Sequence, residues 1–551
     1  MDRQRCGYWP SDLAPELNYK RGLKPLHEYL RDNARQNPEK AAIIWYGREI
    51  SYGELNDLSD RFATALSDLG VRKGEPVVLF LSNSPQYFIA HYGIQKIGAA
   101  VCPCSPLFKE WELEYQLNDL GAKVIVASDS LYPIIAEVKP KTKLEHIVLT
   151  NYGDFLPPAP GIKVPEEILG SKQLIQGTYD MLSLMNAVEG PFLGQEVELE
   201  DIALIIYTSG TTGKPKGAML SYKSALFKAA AVAQSSSVLE KDVLLTVVPL
   251  YHIAGMLLGL NCPIYANATV VLLQRFDPVA VLEGIANYRC TWWYSIVPMN
   301  LSVMQVPNAG EYDLSSLETT RATSFGIALT PEIGKQWTEF TKGCSLFEGA
   351  YGLSETHTAD TFMPAGAVKW GTQGIANYET RIRILDTETG REKEPGEMGE
   401  IVISSPGVFK GYWQKPLETE QTLREGWVYT GDMGRLDKDH YLIFDGRFKE
   451  MIKVSGYSVF PEEVESMLIR HQGIAQAAVL GVSDGQKGEV VKAFVVLKPD
   501  PDPSITAENL IAWAREKMAH YKVPRYIEFR ESLPVTGAGK ILRRLLKEES
   551  S

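Results

Sequence analysis

Residues Tyr207-Thr-Ser-Gly-Thr-Thr-Gly-Lys-Pro-Lys-Gly217 gather four hydroxyls (Thr208, Ser209, Thr211, Thr212), three glycines (Gly210, Gly213, Gly217) and two lysines (Lys214, Lys216), with no acidic residue among them. An apolar run, Ile202 to Ile206, leads in and reads as a buried strand. Glycines let backbone N–H groups approach an anion, hydroxyls donate hydrogen bonds and lysines add charge, which together make a polyphosphate cradle. A Walker A loop would need Gly-Lys followed by Ser or Thr and then a helix. Here Pro215 follows Lys214, so the magnesium-binding hydroxyl is missing and a helix is blocked. The loop therefore holds phosphate by some other architecture.

The chain around it has 551 residues, more than one hydrophobic core accommodates, so several domains or subdomains are expected. A net charge of -12 leaves no basic excess to displace counterions and excludes a general nucleic-acid binder. The six cysteines are scattered, and Cys102-Pro-Cys104 has no second pair to complete a zinc site. The N-terminus shows no apolar signal segment, and Glu-Glu-Ser-Ser at the C-terminus is neither a peroxisomal address nor a prenylation box. The most membrane-like window, Ile253 to Leu273, carries Asn261, Pro263 and Asn267 and reads as a buried strand-turn-strand. The cytoplasm is the expected compartment.

Helical and strand patterns alternate through the first half. Ser51 and Glu54 form a capping box ahead of Leu55, Leu58, Phe62, Leu66 and Leu69 at helical spacing. Pro76 to Leu81 reads as a strand, Ser84-Pro85 as the start of a helix, and Val124 to Ala127 as another strand. Strand, helix, strand at these separations implies parallel sheet. Residues 151–200, with Pro157, Pro158 and Pro160, read as a surface excursion. From Gly371 short alternating runs suggest a β-rich subdomain, and after Arg447 a compact α+β unit follows, with helices opening at Pro461 and after Thr506. The expected fold is α/β: a large domain, 1–446, of stacked α/β subdomains plus the β-rich one, and a small α+β domain, 447–551.

Four further motifs are weaker alone. In Glu348-Gly-Ala-Tyr-Gly-Leu-Ser-Glu355 an acid beside a hydroxyl can hold Mg2+, and Tyr351 offers a flat face to a purine. In Tyr429-Thr-Gly-Asp432 a carboxylate at a turn can accept both hydroxyls of a ribose, although aspartate at a turn is also ordinary turn chemistry. Gly446 to Tyr457 is basic and glycine-containing, and Pro534-Val-Thr-Gly-Ala-Gly-Lys540 ends a glycine loop in a lysine.

Together, in this order, the five stretches resemble the adenylate-forming superfamily: acyl- and aryl-CoA synthetases, peptide-synthetase adenylation domains and beetle luciferases. The resemblance spans nearly the whole chain and implies an ATP-dependent carboxylic acid–CoA ligase that forms acyl-AMP and then an acyl-CoA thioester. It implies ATP, Mg2+ and coenzyme A, and a fatty or other apolar acid of medium size, aryl and alicyclic acids included. A homodimer is compatible with it. A carrier-loading adenylating enzyme and a luciferase-like oxygenase are the alternatives.

By the same resemblance, Thr208, Ser209, Gly210, Thr211, Thr212, Gly213 and Lys214 face the β- and γ-phosphates, and Tyr351 stacks on adenine between Gly326, Ala350 and Ser354. Thr208 and Glu355 match the Mg2+ contacts, and Asp432 and Arg447 the ribose contacts. Lys540 matches the lysine bridging the attacking carboxylate and the α-phosphate. Lys449 matches a hinge about which the small domain swings, bringing Lys453 and Gly456 to the adenylate and the pantetheine path. Lys449 and Lys453 also read as plain surface lysines, and His252 as either a gate to the acyl pocket or a core histidine. Ser324-Phe-Gly-Ile-Ala-Leu329 departs from the family's Ser-Gly-Gly-Ala-Pro-Leu, so Phe325 and Ile327, with Trp292, Trp293 and Tyr294, are expected to narrow the acyl pocket.

Overall fold

The computed structural model describes residues 9–190, 192, 194–208, 214–324, 329–447, 452–454, 457–459, 461–484, 488–498, 505–534, 546–547 and 549. Two seven-stranded sheets organise the large domain. One carries the phosphate-loop strand Ile202–Thr208 beside the parallel strands Pro76–Phe80, Ala100–Pro103, Val124–Ser128 and His146–Thr150. The other runs Ser345–Glu348, Thr319–Thr323, Trp292–Ile296, Val243–Thr246, Thr269–Leu272, Ala41–Trp45, Arg48–Ser51. Its last two strands come from the start of the chain: Ala41–Trp45 pairs in parallel with Thr269–Leu272 and turns back into Arg48–Ser51.

Helices fill the space between the sheets. Pro85–Lys96 starts where Ser84 accepts a hydrogen bond from the Tyr87 amide, and every one of its residues is buried. A helix enclosed on all sides has no solvent face to keep polar, and its sequence shows none. Tyr52–Asp68 begins on the Ser51 cap, whose side chain accepts from the Glu54 amide, and packs on it as its spacing predicts. The other face of the phosphate-loop sheet buries Val78, Phe80 and Ile125 under the helix Glu110–Leu120.

Pro215 is followed by the strand Lys216–Ser221, which pairs antiparallel with Ile202–Thr208, Thr208 standing opposite Lys216. The helix Tyr222–Ser235 follows at once, capped by Ser221.

The window Ile253 to Leu273 differs from the expected strand-turn-strand. It is helical over Ile253–Met256, Leu257–Asn261 (a π turn) and Cys262–Ala266, and only Thr269–Leu272 is a strand. Pro263 sits in the first turn of its segment, where no backbone donor is lost, and Asn267 closes the helix in the left-handed conformation. Among the described residues no helix is long and apolar enough to cross a membrane.

The β-rich subdomain is a five-stranded sheet built on Arg381–Leu385, Gly399–Ser404, Trp427–Leu436 and Leu442–Arg447. Beyond it, the hairpin Ile452–Val454/Tyr457–Val459 and the strands Ile474–Asp484, Gly488–Leu497 and Tyr526–Phe529 form another sheet, flanked by helices Pro461–Leu468 and Ala507–Lys517.

Three histidines lie inside the helical layer. Burial lowers His27, His91 and His357 to about 3, with Lys96 acting further on His27 and Lys228 on His357. Each is therefore neutral when folded but protonates near 6.5 when unfolded. Because the unfolded chain then binds more protons, stability is full above pH 6.5 and is lost as pH falls from there toward 3. Each histidine contributes a slope of up to about 1.4 kcal/mol per pH unit. Urea midpoints at pH 7 and pH 5 should differ clearly, and His91→Phe should narrow that gap.

Candidate active site at the junction of three sheets

The hairpin base brings Thr208 to Glu355, whose Oε1 accepts from the Thr208 hydroxyl at 3.3 Å. Glu355 belongs to the 3-10 turn Ser354–Thr356, just past the end of strand Ser345–Glu348 in the second sheet. The same Oε1 accepts from the Tyr412 hydroxyl at 2.7 Å. Tyr412 is positioned because residues 411–413 run alongside Lys216–Ser221, with the Met219 amide on Gly411 and the Trp413 amide on Gly217. The Lys216 ammonium stands 4.2 Å from the Tyr412 ring centroid. Nothing local in Lys410-Gly-Tyr-Trp413 reveals this, since Glu355 lies 57 positions earlier and the strand Lys216–Ser221 nearly two hundred.

The β-rich sheet supplies the third wall. The Tyr351 hydroxyl donates to Asp432 Oδ2 at 2.7 Å, and its ring packs tilted on Phe444 with centroids 5.9 Å apart. Asp432 is buried in strand Trp427–Leu436 and pairs across the sheet with Arg447. Tyr351 is held from behind by its amide, which donates to Thr361 Oγ1. Between Tyr351 and Ser354, Gly352 is obligatory: a Cβ there would stand 2.5 Å from the Ala359 amide nitrogen. Thr208, Ala350, Tyr351, Ser354, Glu355 and Asp432 thus converge on one cleft. Lys214 is exposed at the hairpin.

Buried Glu348 faces away from the cleft. Its carboxylate accepts from the amide and hydroxyl of Ser324, whose Oγ in turn accepts from the Leu329 amide, and burial pushes its pKa up to about 7. Beside the cleft, a cavity of about 70 Å3 runs between the helix Tyr222–Ser235, the turn at Ala254 and Leu258, and the strands bearing Trp292, Tyr294 and Arg321. Trp293, grouped with these aromatics from sequence, points to the opposite face and packs on Trp337. A larger hollow, about 350 Å3 between Asp129 and Asp180, lies away from these groups, and Lys172 in it already pairs with Asp154 and Asp180.

His252 is reached by solvent although protein surrounds it on most sides. It begins the short helix Ile253–Met256, and Gly255 there must lack a side chain, because a Cβ would sit 2.1 Å from the Pro249 carbonyl. Enclosure lowers the His252 pKa, and the charge of Lys453 lowers it further. Lys453, half-buried, is thus near enough to His252 for its charge to act on the imidazole. Next to it Tyr457 shares a hydrogen bond with Tyr251 and stacks on Tyr521 at 4.1 Å. The small domain is anchored on the other side by Lys522 and the Ala519 amide on Glu112, by Lys517 on Glu110, and by Trp513 against Trp111. The Lys522–Glu112 pair is almost fully buried.

Ser209, Gly210, Thr211, Thr212, Gly213, Phe325, Gly326, Ile327, Lys449, Gly456 and Lys540 lie outside the described residues, as does the Arg447 side chain.

Comparison with known proteins identifies the family. The model of AMP-binding enzymes matches residues 30–413, and that of the AMP-binding enzyme C-terminal domain matches 463–540. A long-chain-fatty-acid–CoA ligase of Bacillus subtilis is 36% identical over 98% of this chain and 97% of its own length. The chain is an AMP-binding enzyme of the acyl-CoA synthetase kind. A feruloyl-CoA synthase from Amycolatopsis is 32% identical over 93% of the synthetase and 96% of its own chain. Among solved structures, a long-chain-fatty-acid–CoA ligase from Archaeoglobus fulgidus superposes with a TM-score of 0.75 at 26% identity, covering 94% and 100% of the two chains. An o-succinylbenzoate CoA synthetase from Bacillus subtilis, bound to a product analogue, gives 0.78 at 26% identity over 95% and 98%. The family acts through ATP.

Losing one hydrogen bond to a buried carboxylate costs about 1–2 kcal/mol. Tyr351→Phe should therefore raise the KM for ATP roughly fivefold to thirtyfold while sparing the acid KM, as measured by pyrophosphate release.

Proposed function

We propose that this acyl-CoA synthetase joins an acid with a largely apolar body to coenzyme A in two steps, within the one cleft where Thr208, Glu355, Tyr351 and Asp432 meet. That convergence of three sheets carries the reading. The acid's carboxylate attacks the α-phosphorus of ATP, the bond to pyrophosphate breaks, and acyl-AMP forms. The thiol of coenzyme A then attacks the acyl carbon, the bond to AMP breaks, and the thioester leaves.

Tyr351 and Asp432 bind the nucleoside, the ring against the base and the carboxylate toward the ribose, with Arg447 beside it. The hydroxyl of Thr208 and the carboxylate of Glu355 are hard oxygen donors 3.3 Å apart, a set that suits Mg2+. Bound there, the ion would neutralise charge on the phosphates. Tyr412 keeps Glu355 turned toward the cleft. Residues 209–213 follow the leaving pyrophosphate, and Lys540 places a cation on the charge that builds at the α-phosphate.

The arrangement of the small domain suits the second step. The charge of Lys453 acts on His252, and the Glu112–Lys522 and Glu110–Lys517 pairs hold the domain in place. Residues 447–551 then move as a unit about Lys449, so that Lys540 and Lys453 serve the cleft in turn, with Gly456 on the path of the pantetheine arm.

A pyrophosphate-release screen over short, medium, long, aromatic and alicyclic acids, with and without coenzyme A, tests the reading. Release that never depends on an acid would remove it. Two variants separate the steps. Lys540→Ala should slow acyl-AMP formation on the order of a hundredfold or more and spare thioester formation from supplied acyl-AMP. Glu112→Ala should do the reverse, slowing the thioester step alone. Equal loss of both steps in either variant would contradict alternation.

A further inference from the structure

The cavity beside the cleft contains a cation that a wholly apolar acid would leave unanswered. In strand Thr319–Thr323 the side chains alternate. Thr320 accepts from Trp337 Nε1 on the far face, while Arg321 and Thr323 line the cavity with Tyr294 and Gly349. Arg321 is 5% exposed. Its Nη1 donates to the Met363 carbonyl at 3.2 Å, its Nε has no hydrogen-bond partner, and its guanidinium lies 5.0 Å from the Phe347 ring centroid.

Among the described residues no carboxylate comes within ion-pair reach of it. Burial is the one influence on its acidity, lowering it to about 10, which leaves it charged at neutral pH. A buried charge without a counter-charge, and a buried donor without an acceptor, are both costly. The aromatic face of Phe347 compensates only in part. A few polar groups join it in a mostly apolar lining that includes Val232, Leu258 and Phe362: Tyr294 and Thr323 share a hydrogen bond at 2.7 Å, and Asn377 is among the lining residues. At about 70 Å3 the space is also small, enough for the far end of an acid and not for a long chain.

We propose that Arg321 is the specificity group of the acid pocket, and that the substrate is a compact acid carrying an oxygen acceptor at the end remote from its reacting carboxylate. The proposal rests on the acyl-CoA synthetase reading above. A guanidinium presents a fork of donors that matches a carboxylate in two places and a hydroxyl or methoxy oxygen in one. A site built to satisfy such a donor rejects the analogue that lacks the acceptor, because the donor is then left unpaired. The same strand face supplies the group at no cost to the nucleotide side, where Glu355 and Asp432 come from other elements.

The test compares matched acids in pyrophosphate release: glutaric against pentanoic acid, 4-hydroxybenzoic against 4-methylbenzoic acid, and hexadecanoic acid as a long apolar reference. The oxygen-bearing member of at least one pair should lead in kcat/KM by at least about tenfold, the glutaric arm marking an anionic acceptor and the hydroxybenzoic arm a neutral one. In Arg321→Met that ratio should fall to near one, mainly through the acid KM, with the ATP KM unchanged. Wild-type ratios near one, faster turnover of hexadecanoic acid, or an unchanged ratio in Arg321→Met would each overturn the proposal. If Arg321→Met does not fold, the wild-type ratios decide the matter unaided. Turnover of methyl-ended acids with ratios near one removes this proposal and leaves the ligase reading standing. No release with any acid removes both.

Discussion

The ion pair between Lys228 and Asp360 holds the site together from behind. Both side chains are fully buried, with Nζ and Oδ1 2.7 Å apart, and Thr356 also donates to Asp360. Lys228 lies on the helix that leaves the phosphate hairpin, and Asp360 on the segment that follows Glu355. The pair therefore ties the strand end carrying Tyr351 and Glu355 to the sheet carrying Thr208. Removing one partner of a buried pair leaves a charge stranded, at about 3–5 kcal/mol. That is a large share of the stability of an ordinary domain. The adjacent backbone depends on it too: the Asp360 amide donates to the Tyr351 carbonyl.

Around this tie the cleft divides its tasks by element. In the proposed function the hairpin that begins at Thr208 serves phosphate, the turn at Glu355 the metal ion, and the β-rich sheet the nucleoside. The side chains proposed to choose the acid, Tyr294, Arg321 and Thr323, lie on neighbouring strands of the second sheet. The small domain adds a fourth surface through Lys453, held in position by the buried Lys522–Glu112 pair.

Local signals in the sequence were read correctly wherever the physics is local. The caps at Ser51, Ser84 and Thr506 appear as side-chain acceptors in the structure, because a cap depends on three consecutive residues. Pro215 was legible as a helix block. The strand after it was not, since its partner is set by pairing. The window at Ile253 misled because a fully buried helix and a buried strand have the same apolar composition. Tyr412, Arg321 and the Lys228–Asp360 tie were invisible for one reason: each acquires meaning from a residue at least forty positions away. The roles of Lys540, Lys449 and Gly456 came only through family resemblance.

The path of the chain through the two large sheets has a further consequence. The second sheet takes strands Ala41–Trp45 and Arg48–Ser51 from the beginning of the chain and the others from Val243 onward, while the whole of the first sheet lies between them in sequence. No single cut yields one complete sheet with its own helices. The helix Pro85–Lys96, buried at every residue, has its full surroundings only once both sheets are present. The large domain must therefore mature as one cooperative body, and a fragment ending between the sheets would display an apolar interior with nothing to cover it.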